Sequence, residues 1–391
     1  MSIQNLAANG RRLLIRRTSA MIRLCCMPLL PNGPAMPVSV SVVENSLAAK
    51  VQVIGHRGAS AWRPEHTLAS YGKAIADGAD FIEPDLVMTK DGVLVARHES
   101  EFGATSDVAQ HPEFAERETT KTINEHTFSG WFIEDFTLAE LKTLRARERL
   151  PHLRSTRYDG AFPIPTLDEI IAFVASESAR AGRSIGIIPE IKCSSYFRKL
   201  GLPMEDQLLA TLAAHPYTRA APVEIQSFEI ANLRYLHDAL GGDERRRRHP
   251  NIHLLQLLGV AYEQPWDVVA TGEKLLYGQM MTPTGLHDIA GYADAIGPRM
   301  REIIPLTAEG MLDKPTTLVR DAHAAGLEVH TYTFRPENQF QAKDFWLGDD
   351  PSTYNEAGSV AEIRAYLDAG IDAFFTDDPT IGRKAVDSRE A

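Results

Sequence analysis

Acidic side chains stand at the ends of two apolar runs in the sequence. Glu83 and Asp85 are two positions apart in "FIEPDLVM", and Glu190 and Lys192 have the same spacing in "SIGIIPEIK". Because alternate residues of a strand point to the same face, each pair faces one side. Crowded carboxylates repel one another unless a cation joins them, and hard oxygen ligands favour Ca²⁺ or Mg²⁺. The pattern therefore predicts one divalent cation held by Glu83, Asp85 and Glu190.

Two imidazoles and a guanidinium occupy similar positions. His56 and Arg57 follow an apolar run in "VIGHRGAS", and His98 ends the extended run "GVLVARH". Two histidines can divide the work of base and acid near neutral pH. Arg57 can bind two phosphoryl oxygens at once, and Lys192 adds a point charge. Together with a metal ion, this set fits in-line cleavage of a phosphodiester.

The elements that must position these residues recur along the chain. Eight short apolar runs alternate with helical patterns, and they cover residues 51–55, 81–88, 184–192, 223–228, 253–259, 294–298, 328–334 and 372–378. One helix has Thr166 as a cap, Glu169 three residues later and Gly182 at its end, which is a capping-box pattern. The rhythm predicts an α/β fold, a (β/α)₈ TIM barrel whose strand ends carry the catalytic groups. An open doubly wound sheet is disfavoured because no G-x-G-x-x-G follows the first run.

Two polar stretches interrupt this repeat. Residues 99–163 follow the second strand region, and residues 335–357 follow the seventh strand. Long loops at the strand ends of barrels shape the mouth of the active site. We expect both insertions to be small lids within a catalytic domain spanning 51–383, followed by a tail at 384–391.

Charge and composition narrow the classes of function. The 391 residues are 44% hydrophobic and carry a net charge of −11, which disfavours a nucleic-acid-binding protein. The basic run Arg245–Arg248 is interpreted as a solvated loop, and Cys193 as a buried apolar side chain. The body of the chain has no stretch of about 20 apolar residues, so no membrane-spanning helix is expected. No sequence feature indicates an oligomeric state.

The first 50 residues form a leader of different character. Residues 1–43 contain five arginines and no acidic residue, and an apolar stretch follows the arginines. This charge order is typical of a targeting segment, which would make the protein periplasmic or secreted. A disordered leader or a later start of translation are the alternatives, and both leave a cytoplasmic protein possible.

The motifs taken together carry a resemblance. The stretch from "GHRGAS" to "LVARHE" resembles the glycerophosphodiester phosphodiesterase family, most closely its bacterial periplasmic type. "PEIK", "QSFE", "VHTYTFR" and "DAFFTDDP" continue the match in order, so that it spans residues 51–383. The resemblance implies a TIM barrel with Ca²⁺ or Mg²⁺ that hydrolyses small-molecule glycerophosphodiesters to an alcohol and glycerol 3-phosphate. It implies metal ligands at Glu83, Asp85 and Glu190, acid–base catalysts at His56 and His98, and phosphate contacts at Arg57 and Lys192.

Other residues have two interpretations each. Gln226 and Tyr332 are assigned to substrate binding, with the barrel interior as the alternative. Glu65 either caps the helix after it, which we favour, or orders the loop around the metal. The remaining aromatic and acidic candidates are expected to pack or to form turns, the other role being the wall or ligands of the site: Trp62, Trp131, Trp346, Asp377 and Asp378.

Two rival functions follow from the same residues. A phospholipase D-like hydrolase of lysophospholipids or sphingolipids could use the same barrel, but it needs an apolar rim facing a membrane. A non-catalytic protein that binds phosphodiesters is the second rival, and the presence of all seven site residues disfavours it.

Overall fold

A computed structural model describes residues 51–388 of the chain. The leader predicted at 1–50 lies outside the described residues, as do the last three residues. The final helix, Pro379–Asp387, continues past residue 383, where the predicted catalytic domain ends. Within 51–388, no helix combines the length and the apolar character needed to cross a bilayer.

Parallel strands close into a ring with eight positions. The strands in chain order are β1 (Gln52–Gly55), β2 (Phe81–Ile82), β3 (Asp85–Met88), β4 (Leu94–Ala96), β5 (Thr119–Ile123), β6 (His126–Gly130), β7 (Gly186–Ile187), β8 (Glu190–Ile191), β9 (Val223–Ser227), β10 (Ile252–Leu258), β11 (Ala295–Pro298), β12 (Glu328–Phe334) and β13 (Ala373–Thr376). β2 and β3 share one position, and so do β7 and β8. The last strand, β13, pairs with β1 and closes the ring. The predicted (β/α)₈ TIM barrel is therefore confirmed.

Proline interrupts two of the eight positions. The sequence pattern predicts continuous strands over 81–88 and 184–192, but Pro84 separates β2 from β3 and Pro189 separates β7 from β8. A proline has no N–H to give to the ladder. The proline carbonyls still accept bonds, from Glu190 N at 2.9 Å and from Gln226 N at 3.0 Å. Each break thus changes the local strand geometry beside an acidic residue without disconnecting the sheet.

Helices surround the ring. They are α1 (Leu68–Ala76), α2 (Leu138–Leu141), α3 (Leu167–Ala181), α4 (Ser194–Lys199), α5 (Glu205–Ala214), α6 (Ile230–Ala239), α7 (Arg245–Arg248), α8 (Trp266–Thr271), α9 (Tyr277–Met280), α10 (Pro283–Ala290), α11 (Met300–Ile303), α12 (Leu318–Ala324), α13 (Glu356–Asp368) and α14 (Pro379–Asp387). The capping box predicted at Thr166 and Glu169 is present, and Gly182 ends α3 in the left-handed conformation. Local signals therefore fix both ends of this helix.

The basic run is a helix rather than a solvated loop. Arg245 is 4% exposed, and its Nη2 lies 2.7 Å from Asp294 Oδ2. Its Nη1 also donates to the carbonyl of Ile252 at 2.8 Å. The prediction was wrong for Arg245 because its ion-pair partner lies in the loop before β11, 49 positions away in sequence.

The insertion at 99–163 is built onto the barrel. It contains α2 and an antiparallel hairpin of β5 and β6. Its apolar side chains, such as Phe102, Phe136 and Leu141, are fully buried and join the main hydrophobic core. Because they share the barrel's core, the insertion lies over the ring as part of one packed unit.

A buried histidine lies inside the ring at the start of β12. His330 Nδ1 is 2.9 Å from Glu224 Oε2, and Nε2 is 3.1 Å from Glu328 Oε2. Carboxylates only accept hydrogen bonds, so both ring nitrogens carry protons. Burial lowers the pKa of His330, but the Glu224 and Glu328 carboxylates outweigh it and raise this pKa to about 10.

This ion pair predicts a pH-dependent contribution to stability. His330→Gln should lower the free energy of unfolding by about 3 kcal/mol, since it leaves a buried carboxylate unpaired. The pKa in the folded state is raised above the usual 6.5, so the contribution is complete below pH 6.5 and is lost as the pH rises through 10. Urea unfolding of wild type and variant at pH 6 and pH 10 measures this. The exposed His323→Gln serves as the control, and an equal loss at both pH values would contradict the prediction.

Candidate active site

Three carboxylates meet at the carboxyl ends of the second and third strand positions. Glu83 lies in the gap between β2 and β3, Asp85 begins β3, and Glu190 begins β8 directly opposite Asp85. One oxygen atom from each lies within 4.8 Å of the others. Their exposed fractions are 3%, 0% and 4%. The structure thus brings the three predicted metal ligands together in a buried cluster.

The protein's own side chains do not keep all three carboxylates of the cluster ionised. Burial raises the pKa of Glu83 well above its usual range, and the neighbouring carboxylates raise it further. Burial also raises the pKa of Glu190, to about 8, although Lys192 opposes this. Asp85 behaves in the opposite way because Lys192 and His66 outweigh its burial and hold its pKa well below the usual range. Full ionisation of the cluster therefore requires an added positive charge.

Unsatisfied oxygen atoms point to the same requirement. Asp85 Oδ1 is buried and accepts no hydrogen bond from the described residues. Gln226 donates through Nε2 to Glu83 Oε1 at 3.1 Å, while its own Oε1 also has no hydrogen-bond partner among residues 51–388. Hard oxygen donors of this kind fit Ca²⁺ or Mg²⁺. Gln226 thus contacts a carboxylate of the cluster from inside the barrel.

Lys192 lies beside the carboxylates. Its Nζ is 2.7 Å from Glu190 Oε1 and 3.5 Å from Asp85 Oδ1. Although burial lowers the pKa of Lys192, Asp85 and Glu190 raise it above its usual value. The side chain therefore stays charged.

Arg57 enters the site from the loop after β1. Its backbone is left-handed, with φ of 56°, and its N–H donates to Glu83 Oε2 at 2.8 Å. Its Nη1 donates to Glu65 at 3.0 Å, and its buried Nε has no hydrogen-bond partner in the described chain. Gly58 must follow, because a Cβ there would lie 2.4 Å from Ser70 Oγ. The tight turn thus places both a backbone and a side-chain donor at the cluster.

His56 is held by a carboxylate from the opposite end of the chain. Its Nδ1 lies 2.5 Å from Asp377 Oδ1. Asp377 also binds Arg154 Nη2 at 2.7 Å and Arg335 Nε at 3.3 Å. Burial and Arg57 lower the pKa of His56 to about 4 despite Asp377. The ring is therefore neutral near pH 7, with its proton on Nδ1 and a free electron pair on Nε2.

His98 is held in a similar way. Its Nδ1 lies 2.5 Å from Glu99 Oε1. Arg149 from the first insertion binds Glu99 at 2.6 Å and Glu65 at 2.7 Å. Burial, followed by Arg57 and Lys192, lowers the pKa of His98 to about 3. Both imidazoles therefore present an unprotonated Nε2.

Some residues of the site have roles that the sequence did not indicate. His66 donates through Nε2 to Asp85 Oδ2 at 2.8 Å. Glu65 does not cap the following helix, because Thr67 Oγ1 accepts from Ser70 N there. The prediction of a turn role was wrong for Asp377, which binds His56. It was right for Asp378, which caps α14.

Two adjoining cavities open at this end of the barrel. The smaller, of about 280 Å³, is lined by both histidines, the carboxylate cluster, Arg57 and Gln226. The larger, of about 460 Å³, adjoins it and shares His98, Lys192 and Tyr332. The Tyr332 hydroxyl donates to the carbonyl of Leu258 at 2.9 Å, so its ring forms a wall of both cavities.

The three tryptophans that were expected to pack do lie outside both cavities, whereas Cys193 is less buried than predicted. Trp62, Trp131 and Trp346 line neither cavity; they donate to Asp378, Phe114 and Gln341. Trp266, at the start of α8, lines the larger cavity instead. Cys193 is only partly buried and also lines it, with its Sγ 3.4 Å from Asn124 Nδ2.

Known proteins are similar to this chain over most of its length. A model of the glycerophosphoryl diester phosphodiesterase family matches residues 56–381. A glycerophosphodiester phosphodiesterase from Arabidopsis thaliana is 35% identical over 338 residues, covering 83% of this chain and 82% of the relative. Another from Haemophilus influenzae is 27% identical over 356 residues, covering 85% of this chain and 92% of the relative.

Solved structures share the fold. One from Silicibacter pomeroyi superposes with a TM-score of 0.58 at 20% identity, covering 87% of this chain and 94% of that chain. A phosphodiesterase from Oleispira antarctica, in complex with the product sn-glycerol-3-phosphate, superposes with a TM-score of 0.53 at 20% identity, covering 87% and 98%.

The His56–Asp377 contact predicts a loss of turnover in Asp377→Asn. The amide can offer an N–H to Nδ1 and so favour the wrong tautomer, and kcat toward a phosphodiester should fall by about 10- to 100-fold. Asp378→Asn is the matched control, since it removes the neighbouring charge while the asparagine Oδ1 can still accept the hydrogen bonds that cap α14. It should leave kcat intact. Equal kcat values for the two folded variants would show that the contact has no part in turnover.

Proposed function

The chain belongs to the glycerophosphoryl diester phosphodiesterase family, and on that premise we propose a metal-dependent hydrolysis of glycerophosphodiesters to an alcohol and sn-glycerol 3-phosphate. One observation carries the proposal: the three carboxylates converge beside two imidazoles, each held by a carboxylate at Nδ1. The complex of the Oleispira antarctica phosphodiesterase with sn-glycerol-3-phosphate supports the product.

Glu83, Asp85 and Glu190 would hold the cation, which we propose to be Ca²⁺ or Mg²⁺. When bound, a divalent ion polarises a phosphoryl oxygen and offsets the charge that develops in the transition state. Gln226 and His66 position two of the carboxylates through the hydrogen bonds described above. Such outer contacts orient metal ligands.

Arg57 and Lys192 would bind the phosphodiester anion. Arg57 Nε is buried and lies 3.5 Å from Asp85 Oδ2 without a hydrogen bond to any described residue, so it can donate to a phosphoryl oxygen bound beside that carboxylate. Lys192 stays charged beside the cluster and adds electrostatic attraction. Both contacts strengthen as negative charge grows on the phosphoryl group.

The two histidines would transfer the protons. One imidazole takes a proton at Nε2 from the nucleophile, which is water or the neighbouring hydroxyl of the substrate's own glycerol. The other would take up a proton from solvent at Nε2 when the phosphodiester anion binds, and would give this proton to the leaving alkoxide. Attack by the glycerol hydroxyl would form a cyclic phosphate, and water would then open it. Asp377 and Glu99 keep the proton on Nδ1 so that Nε2 faces the reaction.

Removal of the metal should stop the reaction. Glycerophosphocholine with Ca²⁺ or Mg²⁺ is expected to yield choline and sn-glycerol 3-phosphate, and excess EDTA should abolish turnover until the cation is restored. A thermal shift gives a second measurement: a cation at 100 times its Kd adds about 2.7 kcal/mol of stability. Glu190→Gln should lose this shift, whereas exposed Glu116→Gln should retain it. Full activity in EDTA would refute the metal assignment.

Loss of either imidazole should lower the rate. His56→Ala and His98→Ala are each expected to reduce kcat by about 10²- to 10⁴-fold. A substrate with a p-nitrophenolate leaving group needs no proton, so the variant of the general acid should recover most of its rate with it. Near wild-type turnover of glycerophosphocholine by either variant would exclude that histidine from proton transfer.

A further inference from the structure

The larger cavity begins where the phosphate would bind. His98, Glu190 and Lys192 line both cavities, so a group esterified to the phosphate can extend from the smaller cavity into the larger one. The smaller cavity, at about 280 Å³, holds the catalytic groups, and the larger offers about 460 Å³ beyond them. This volume suits the variable alcohol of the substrate.

Aromatic rings form much of its wall. Phe228 packs edge-to-face against Tyr332, with ring centroids 5.9 Å apart, and against Tyr277 at 6.4 Å. The hydroxyl groups of Tyr332 and Tyr277 donate to backbone carbonyls, and so the rings are fixed. Trp266 and Phe128 complete this set. Two cations lie near these rings: Lys192 Nζ is 5.9 Å from the centroid of the Phe228 ring, and Arg299 is bridged to Tyr332 through the backbone.

Carboxylates line the same cavity without basic partners. Glu101 accepts from backbone N–H groups of Gly103 and Trp131. Glu229 accepts from Ser195 N at 2.9 Å and from its hydroxyl at 3.0 Å. No basic side chain in residues 51–388 lies within 4.0 Å of a carboxylate oxygen of Glu101, Glu229 or Glu263.

The balance of charge in the cavity is negative. Arg299, an exposed side chain, is the one cation in its wall apart from the catalytic Lys192. Burial, together with Asp267, raises the pKa of Glu229 to about 7, which is the behaviour of a carboxylate that lacks a cation nearby. A positively charged group entering the cavity would relieve this repulsion.

We propose that this cavity binds the alcohol portion of the substrate and selects alcohols that carry a quaternary ammonium or ammonium group. The inference rests on the proposed phosphodiesterase function and specifies its substrate class. Aromatic faces attract such cations by about 0.5–2 kcal/mol, and Glu229 and Glu263 add Coulombic attraction. An acyl chain would cover Glu229 without supplying a cation, and an anionic alcohol would be repelled by both carboxylates.

Part of this selectivity comes from the first insertion. Phe128 on β6 and Ile123 on β5 reach the cavity from the hairpin. The insertion therefore contributes to the recognition of the alcohol as well as to the positioning of His98 through Arg149.

A pair of matched substrates tests the proposal on the full-length enzyme with Ca²⁺ or Mg²⁺. Glycerophosphocholine is compared with the 3,3-dimethylbutyl diester of glycerophosphate, in which a neutral carbon replaces the quaternary nitrogen. We expect kcat/KM to favour the charged substrate by about tenfold or more. Glu263→Gln and Trp266→Leu should each reduce this ratio, whereas exposed Glu273→Gln, outside the cavity, should keep it.

The outcomes separate this inference from the one on which it rests. Cleavage of both substrates at equal kcat/KM would overturn the cation selectivity and leave the phosphodiesterase function standing. Cleavage of neither substrate would overturn both the cation selectivity and the phosphodiesterase function. A wild-type preference that persists unchanged in Glu263→Gln and Trp266→Leu would assign the selectivity to other residues and refute the cavity proposed here.

Discussion

Mutual repulsion of three buried carboxylates is the constraint on which the rest of the site depends. Their oxygen atoms lie within 4.8 Å of one another, and two of the three have pKa values raised above the usual range. Lys192 and the Arg57 N–H offset part of this charge, and Gln226 and His66 fix the orientation of two carboxylates. A bound dication would supply the remainder. The strand breaks at Pro84 and Pro189 belong to the same arrangement, because they free the backbone beside Glu83 and Glu190 from regular strand geometry.

Chains of alternating charge connect the imidazoles of His56 and His98 to the insertions. Arg149 joins Glu99, and hence His98, to the loop after β1, while Arg154 joins Asp377, and hence His56, to Glu337 of the second insertion. These pairs are mostly buried, so each partner needs the other to remain charged at acceptable cost. The insertions thus do more than cover the barrel, since they supply the cations that hold the carboxylates behind both histidines.

The sequence predicted the parts of this structure that depend on local pattern. Strand alternation paired Glu83 with Asp85 and Glu190 with Lys192, each pair on one face, and cap residues such as Thr166 located helix ends. It did not predict the partners of Asp377, because His56 is 321 positions away and the contact arises from ring closure. The burial of Arg245 was missed for a similar reason. From the sequence alone, a charged residue whose partner is distant along the chain cannot be distinguished from one that is exposed to solvent.

Pairing of β13 with β1 has a consequence for how the protein acquires its activity during synthesis. The loop carrying His56 is synthesised 321 residues before Asp377. Until the final strand docks against the first, the imidazole lacks the carboxylate that sets its tautomer. A chain that ends before β13 therefore contains His98 and the three carboxylates but lacks the group that orients the His56 ring. Competence arises in one late step, together with completion of the hydrogen-bonded ring.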